Sequence, residues 1–153
     1  KMKIRQLRQD ENPPMDLLLL ADPSRELIAD YLERGECYIA ENEAGKVIAV
    51  YVLLSTRPQT AELVNIAVCE EEQGKGIGKK LLLDAIQRAR FKGYKTLEVG
   101  TGNSSIGQLA FYQKCGFRIT SIDYDFFTRH YEEKIYENGI WCRDMIRLTL
   151  DLV

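Results

Sequence analysis

Residues 70–82 read EEEQGKGIGKKLL: three acids, then three glycines within five positions, then two lysines ahead of a leucine run. The chain on either side shows what kind of turn this is. Before it, AELVNIAV (residues 61–68) is a near-continuous apolar, β-branched run of the kind found in strands covered on both faces. After it, Ile77, Leu81, Leu82, Ala85, Ile86 and Ala89 recur at helical spacing, with Lys79, Lys80, Asp84, Gln87 and Arg88 on the opposite face. That spacing predicts a helix from Gly76 to about Phe91, closed by Gly93. Glycines between a buried strand and a helix start let backbone amides converge, and the helix end adds partial positive charge. The natural occupant is an anion, a phosphate or diphosphate above all. Lys75, Lys79 and Lys80 bring more positive charge, although Lys80 equally suits a solvated helix face.

Upstream, Lys3 to Leu7 reads as a short strand, and Pro13-Pro14 starts a helix through Met15 to Ala21, broken by Asp22, Pro23 and Ser24. A second helix runs from about Ser24 to Arg34, with Leu27, Ile28, Tyr31 and Leu32 on one face and Gly35 as its stop. CYIAENE and VIAVYVLLS are extended segments across the turn Glu43 to Lys46. Downstream, TLEVGT reads as a buried strand and Ser105 to Lys114 as a shorter helix closed by Gly116. FRITSIDYDFF and DMIRLTLDL read as two last strands, separated by the polar and aromatic segment TRHYEEKIYENGIWCR. Strands interleaved with helices indicate a mixed α/β layer structure, and residues 1–153 suit one domain able to bury roughly 70% of its unfolded surface. Lys1 precedes Met2 and is left out of this reading.

Composition narrows the function classes. A formal net charge of −2 argues against nonspecific nucleic-acid binding, which needs a basic face. No apolar run is long enough to cross a bilayer, and the N-terminus lacks a signal-peptide pattern, so no membrane partner and a cytoplasmic location are the expectations. Cys37, Cys69, Cys115 and Cys142 are scattered, with His130 the single histidine; no metal site is expected, and all four read as buried, reduced thiols.

Three phosphate motifs compete for the glycine turn. A Walker loop needs four residues between its first glycine and GK; Gly74 and Gly78 enclose three, and Lys79 is followed by Lys80 rather than Ser or Thr. A dinucleotide fingerprint starts with Gly74 and Gly76 but has Lys79 at its third glycine, and Glu98, at the ribose-acid spacing, reads as chance. The third pattern, QxxGxG, is met by Gln73, Gly76 and Gly78. With ELVNIAV before it, a helix after it and AFYQKCGF (residues 110–117) further on, the chain resembles the GCN5-related N-acetyltransferases (GNAT), whose second signature has the form LYxKxGF.

The resemblance covers most of the chain. It implies a GNAT-like α/β (α+β) fold: a central mixed, mostly antiparallel sheet of about six or seven strands flanked by about four helices. It also implies acetyl-CoA as cosubstrate, its diphosphate on the amides of Gln73, Gly74, Lys75, Gly76, Ile77, Gly78 and Lys79, and its pantetheine arm along the main chain of Ile66, Ala67 and Val68. Relatives often carry an asparagine seven residues before the helix tyrosine; here that position is Ser105, with Asn103 two residues earlier, and either meets the coenzyme or caps the helix.

Acetyl transfer to an amine has two obstacles. The amine, with a pKa near 10, is almost wholly protonated at neutral pH, a deficit of about 4 kcal/mol, and the departing thiolate needs stabilising. Glu62 matches the family's catalytic base, against the alternative of a strand-end carboxylate in solvent; partial burial or an intervening water would improve it. Tyr112 matches the general acid near the sulfur, against a packing role beside Phe111 and Phe117. Six acids against three bases between Asp123 and Asp144 suggest a cationic acceptor, a small-molecule or peptide amine, with His130, Tyr131 and Trp141 either shaping its pocket or structural. Direct transfer in a ternary complex is the leading mechanism, because neither Cys69 nor Cys115 has a histidine beside it in sequence. A non-catalytic acyl-CoA-sensing or protein-binding module is the alternative. Pairing of final strands across a homodimer is a further implication of the resemblance.

Overall fold

A computed structural model describes residues 1–153. The chain runs β1 (Lys3–Gln6), α1 (Met15–Ala21), α2 (Arg25–Arg34), β2 (Glu36–Glu41), β3 (Val47–Arg57) and β4 (Thr60–Val68), then a 3₁₀ turn at Glu70–Glu72. It continues through α3 (Ile77–Phe91), β5 (Thr96–Gly102), α4 (Ile106–Lys114), β6 (Arg118–Asp123), α5 (Phe126–His130), β7 (Ile135–Glu137), β8 (Ile140–Cys142) and β9 (Met145–Asp151). Seven strands form one sheet in the order β1-β2-β3-β4-β5-β9-β6, in which only β4 and β5 are parallel. β7 and β8 form a separate hairpin.

The apolar run of β3 is buried on both faces because a helical layer covers each. On one side Leu81, Leu82, Ala85 and Ala89 of α3 join Tyr51, Leu53, Leu97 and Leu148 in one core. On the other, Leu17 and Leu18 of α1 and Ile28 of α2 join Ile39, Val50 and Val52. Each fully buried leucine contributes about 2 kcal/mol, which makes these layers the main support of the sheet. Ser24 caps α2, its hydroxyl accepting from Leu27 N at 3.2 Å.

The C-terminal third differs from the sequence expectation. The strand read into FRITSIDYDFF stops at Asp123, because Asp125 takes a left-handed conformation (φ 61°) and Phe126–His130 coil into a short helix. The segment read as a connection contains the β7–β8 hairpin, turned by Asn138 and Gly139 at φ 56° and 72°, the conformation that an Asn-Gly pair favours. The thiols also differ: Cys37 and Cys142 are buried, but Cys69 and Cys115, placed at element ends, are half-exposed, and all four are free.

Candidate active site

The site begins with one extra residue. Along the β3–β4 ladder the register passes from Val52↔Asn65 to Leu53↔Leu63, which leaves Val64 without an opposite number. Such a bulge bends its strand. The parallel register with β5 accordingly ends at Leu63↔Val99, while β4 continues to Val68 and β5 to Gly102. A wedge opens in the middle of the sheet, and the β5-facing backbone groups of β4 beyond Leu63 have no strand partner.

Two cavities occupy the wedge. The first, about 350 Å³, is lined by Ile66, Ala67 and Val68 and by Gln73, Gly74, Gly76, Ile77 and Gly78 of the turn. The second, about 320 Å³, lies between Leu63–Ile66 of β4, Gly100–Gly102 of β5, Tyr112 of α4, and Phe127, Tyr131, Glu137 and Cys142. Leu20, Ala21, Ile66 and Gln108 wall both, so the cavities meet there.

The turn presents an unusual run of free donors. Gln73 N donates to Glu70 O and Lys80 N to Gly76 O, both at 3.3 Å, but no amide from residue 74 to residue 79 has a backbone acceptor. Gly74 and Gly76 adopt φ 79° and 82°, and the left-handed Gly76 passes directly into the right-handed first turn of α3, which curls successive N–H groups into a concave nest at the helix start. Open space surrounds the position of a Cβ at Gly74, Gly76 and Gly78. Gln73 contributes differently: its Nε2 donates to Val68 O at 2.9 Å, fastening the loop to the end of β4. Lys75 is paired with Glu72 at 3.4 Å and Lys79 is exposed; neither lines these two cavities.

Tyr112 sits on the wall of the second cavity, 4% exposed, its ring tilted against Phe111 and edge-on to Phe117 with centroids 5.4 and 5.7 Å away. Burial pushes its hydroxyl up to about 12, so it stays protonated at any physiological pH. Ser105 starts α4 without capping it; its hydroxyl donates to Glu137 Oε1 at 2.6 Å on the same cavity wall. Asn103 is not brought to either cavity. Its Nδ2 donates to Trp141 O at 3.1 Å, and its Oδ1 accepts from Arg143 N and Asp144 N at 2.9 and 3.0 Å, so it anchors the β8–β9 connection.

Glu62 is not a strand-end group in solvent. It lies beside Glu98, which is 5% exposed, and Arg147 Nη1 stands 3.7 Å from Glu62 and 3.9 Å from Glu98. Arg57 binds the other Glu98 oxygen at 2.9 Å. Burial raises the Glu62 carboxyl above its ordinary value, opposed by the Arg147 cation. Glu62 itself does not line the cavities, whereas its neighbours Leu63 and Val64 line the second.

Of the three pocket candidates in the late segment, Tyr131 alone lines the second cavity. His130 packs on Phe126 at 4.6 Å, and Trp141 lies between the cations of Lys134 and Arg143 at 4.7 and 4.5 Å. Sequence reading missed Asp22, Asn65, Gln108 and Glu137, all on cavity walls. In sequence Asp22 reads only as a helix breaker, and nothing local marks its contact with Tyr131. Asn65, a polar residue inside an apolar strand, was the available signal. Neither Cys69 nor Cys115 lines either of these two cavities, and no three His, Cys, Asp or Glu side chains gather as a metal site.

Comparison with known proteins places this architecture. Residues 3–117 match the family model described as Acetyltransferase (GNAT) family. The chain is 61% identical over 153 residues to the N-acetyltransferase YvbK of Bacillus subtilis (strain 168), covering 99% of this chain and 97% of that protein. A GNAT family acetyltransferase of Elizabethkingia anophelis, solved with acetyl-CoA bound, superposes with a TM-score of 0.96 at 51% identity, over 98% of this chain and 97% of that one. A Bacillus subtilis acetyltransferase solved in complex with CoA gives 0.94 at 59% identity over the full length of both chains. The chain belongs to the GNAT acetyltransferase family.

Proposed function

We propose that the protein is an N-acetyltransferase that moves acetyl from acetyl-CoA directly onto an amine held in the same wedge. The observation that carries this reading is the unpaired β4 edge leading into six consecutive free amides. A strand edge suits an amide-bearing arm, and a nest at a helix start suits a diphosphate. The residues present therefore fit the coenzyme, with Ile66–Val68 holding the arm and residues 74–79 the phosphates. The complexes of the Elizabethkingia and Bacillus relatives with acetyl-CoA and CoA support the assignment.

Bound acetyl-CoA supplies an activated carbonyl; the chain supplies position, a donor and a base. The neutral amine gains the acetyl group and loses a proton, and the coenzyme departs as a thiolate that takes its proton from solvent. Tyr112, on the wall of the second cavity, serves as a fixed donor. With its hydroxyl near 12 and an ordinary thiol near 8.5, full proton transfer to a thiolate is uphill by roughly 5 kcal/mol. Tyr112 thus stabilises the departing sulfur by hydrogen bonding rather than by surrendering its proton. Glu62, its proton affinity raised by burial, receives the amine proton through a water, since it does not itself line the cavity that its neighbours Leu63 and Val64 line. Asn103 is reserved for holding the β8–β9 connection, and Ser105 belongs to the acceptor side. The acceptor is a cationic amine, in keeping with the acidic late segment.

The test is thiol release from acetyl-CoA by the purified protein across a panel of primary amines, with product mass confirming N-acetylation. Turnover on cationic amines is the expected result. Saturable coenzyme binding with no acetylation of any amine would refute the enzymatic reading in favour of an acyl-CoA-binding module.

A further inference from the structure

We propose that Asp22 anchors a second positive charge on the acceptor, so that the substrates are diamine- or polyamine-like molecules rather than simple monoamines. This rests on the transferase reading and narrows it.

The walls of the second cavity carry no Lys, Arg or His, and Asp22 and Glu137 are its only carboxylates. Asp22 is held entirely by neutral donors. Tyr31 Oη donates to Oδ2 at 3.0 Å, Tyr131 Oη to Oδ1 at 2.7 Å and Ser24 N to Oδ1 at 3.0 Å. The direction of the first bond is enforced: Asn65 Nδ2 can only donate, and it gives to Tyr31 Oη at 2.8 Å, so the Tyr31 proton must point to Asp22. Neutral donors orient a carboxylate without cancelling its charge, and Asp22 has no cation partner in the protein. A second observation on the same wall points the same way. Phe127 and Tyr131, with ring centroids 5.5 Å apart, add aromatic surface of the kind cations favour.

Electrostatics decides which charge Asp22 receives. A carboxylate close to the reacting amine would hold it as ammonium, the form that cannot attack, and so oppose the reaction. Its charge is useful to a group that stays protonated throughout, which requires a second cationic group on the acceptor.

The experiment compares butylamine with 1,4-diaminobutane, 1,5-diaminopentane and spermidine, using wild type, Asp22→Asn and Tyr131→Phe. Steady-state kinetics are paired with calorimetric binding of the same amines to the CoA-loaded protein, so acceptor affinity is read without turnover. Wild type should show a KM and Kd at least tenfold lower for the diamines than for butylamine, a gap that added salt narrows. D22N should raise the diamine values about tenfold or more, with little change in kcat and none in butylamine KM; Y131F should raise them about threefold. Equal affinity for butylamine and diamines, or a diamine preference that survives D22N, overturns the proposal. Should D22N fail to fold, Y131F and the salt dependence decide it: no loss of preference in either overturns it. Absence of acetylation of every amine refutes the transferase reading alone, because the binding measurements still report whether Asp22 selects a second charge.

Discussion

Replacing Gly78 by alanine should change sign between the free and the liganded protein. Gly78 is the second residue of α3, lies outside the left-handed region, and has open space where a Cβ would stand. Glycine in a helix costs about 0.5–1 kcal/mol relative to alanine; a first-turn position takes the lower value, so G78A alone should gain about 0.5 kcal/mol and melt about 1–2 °C higher. The open space, however, belongs to the first cavity, where the coenzyme is proposed to sit. A methyl group forced against the coenzyme costs about 2 kcal/mol, or roughly 30-fold in affinity. At a CoA concentration of about 100 wild-type Kd, wild type gains about 2.7 kcal/mol from ligand and the variant about 0.9 kcal/mol. The variant should then melt about 3–5 °C below wild type, having melted above it without ligand. Gly107 supplies a matched control, being the second residue of α4, equally open and lining neither cavity. G107A should show the gain and keep the full ligand shift. Thermal unfolding with and without CoA measures all three proteins, and identical ligand shifts in G78A and G107A would refute the placement of the coenzyme against α3.

Three further outcomes follow from the site geometry. Y112F should lower kcat about 100-fold with CoA affinity unchanged, as for the loss of one transition-state donor; undiminished turnover would leave Tyr112 a packing residue. In kcat/KM against pH, burial of Glu62 should set an acid limb above the ordinary carboxylate range, with activity lost as pH falls through it; E62Q should abolish that limb, and R147M, which removes a cation that lowers the Glu62 value, should move it to higher pH. N103A should cost about 1–2 kcal/mol of stability in urea unfolding, through loss of its three bonds to the β8–β9 connection, while CoA titrates as in wild type.

The first two-thirds of the fold was legible because its signals are local. α3 announces itself by period, β3 and β4 by continuous apolar runs, and the turn between β4 and α3 by its glycines. Its anion-holding character follows from the same residues, since a nest needs only backbone and φ values that glycine permits. The late segment is not legible in the same way, because Phe126–His130 is too short to show a helical stripe, although Asn138-Gly139 does mark a hairpin. The acceptor side depends on contacts between residues distant in sequence. Tyr131 meets Asp22 across 109 positions, and Glu62 acquires Arg147 only when β9 is inserted beside β5. The bulge at Val64, which opens the wedge, is likewise a property of pairing between β3 and β4.

Backbone amide hydrogen exchange with and without CoA tests most directly whether the turn after β4 is the phosphate cradle. The amides of residues 74–79, which have no acceptor within the protein, should exchange rapidly alone and become strongly protected on saturation, together with those of Ile66 and Val68 on the open edge of β4. Saturating CoA that leaves residues 74–79 exchanging at their free rate, while protecting another surface, would contradict the account.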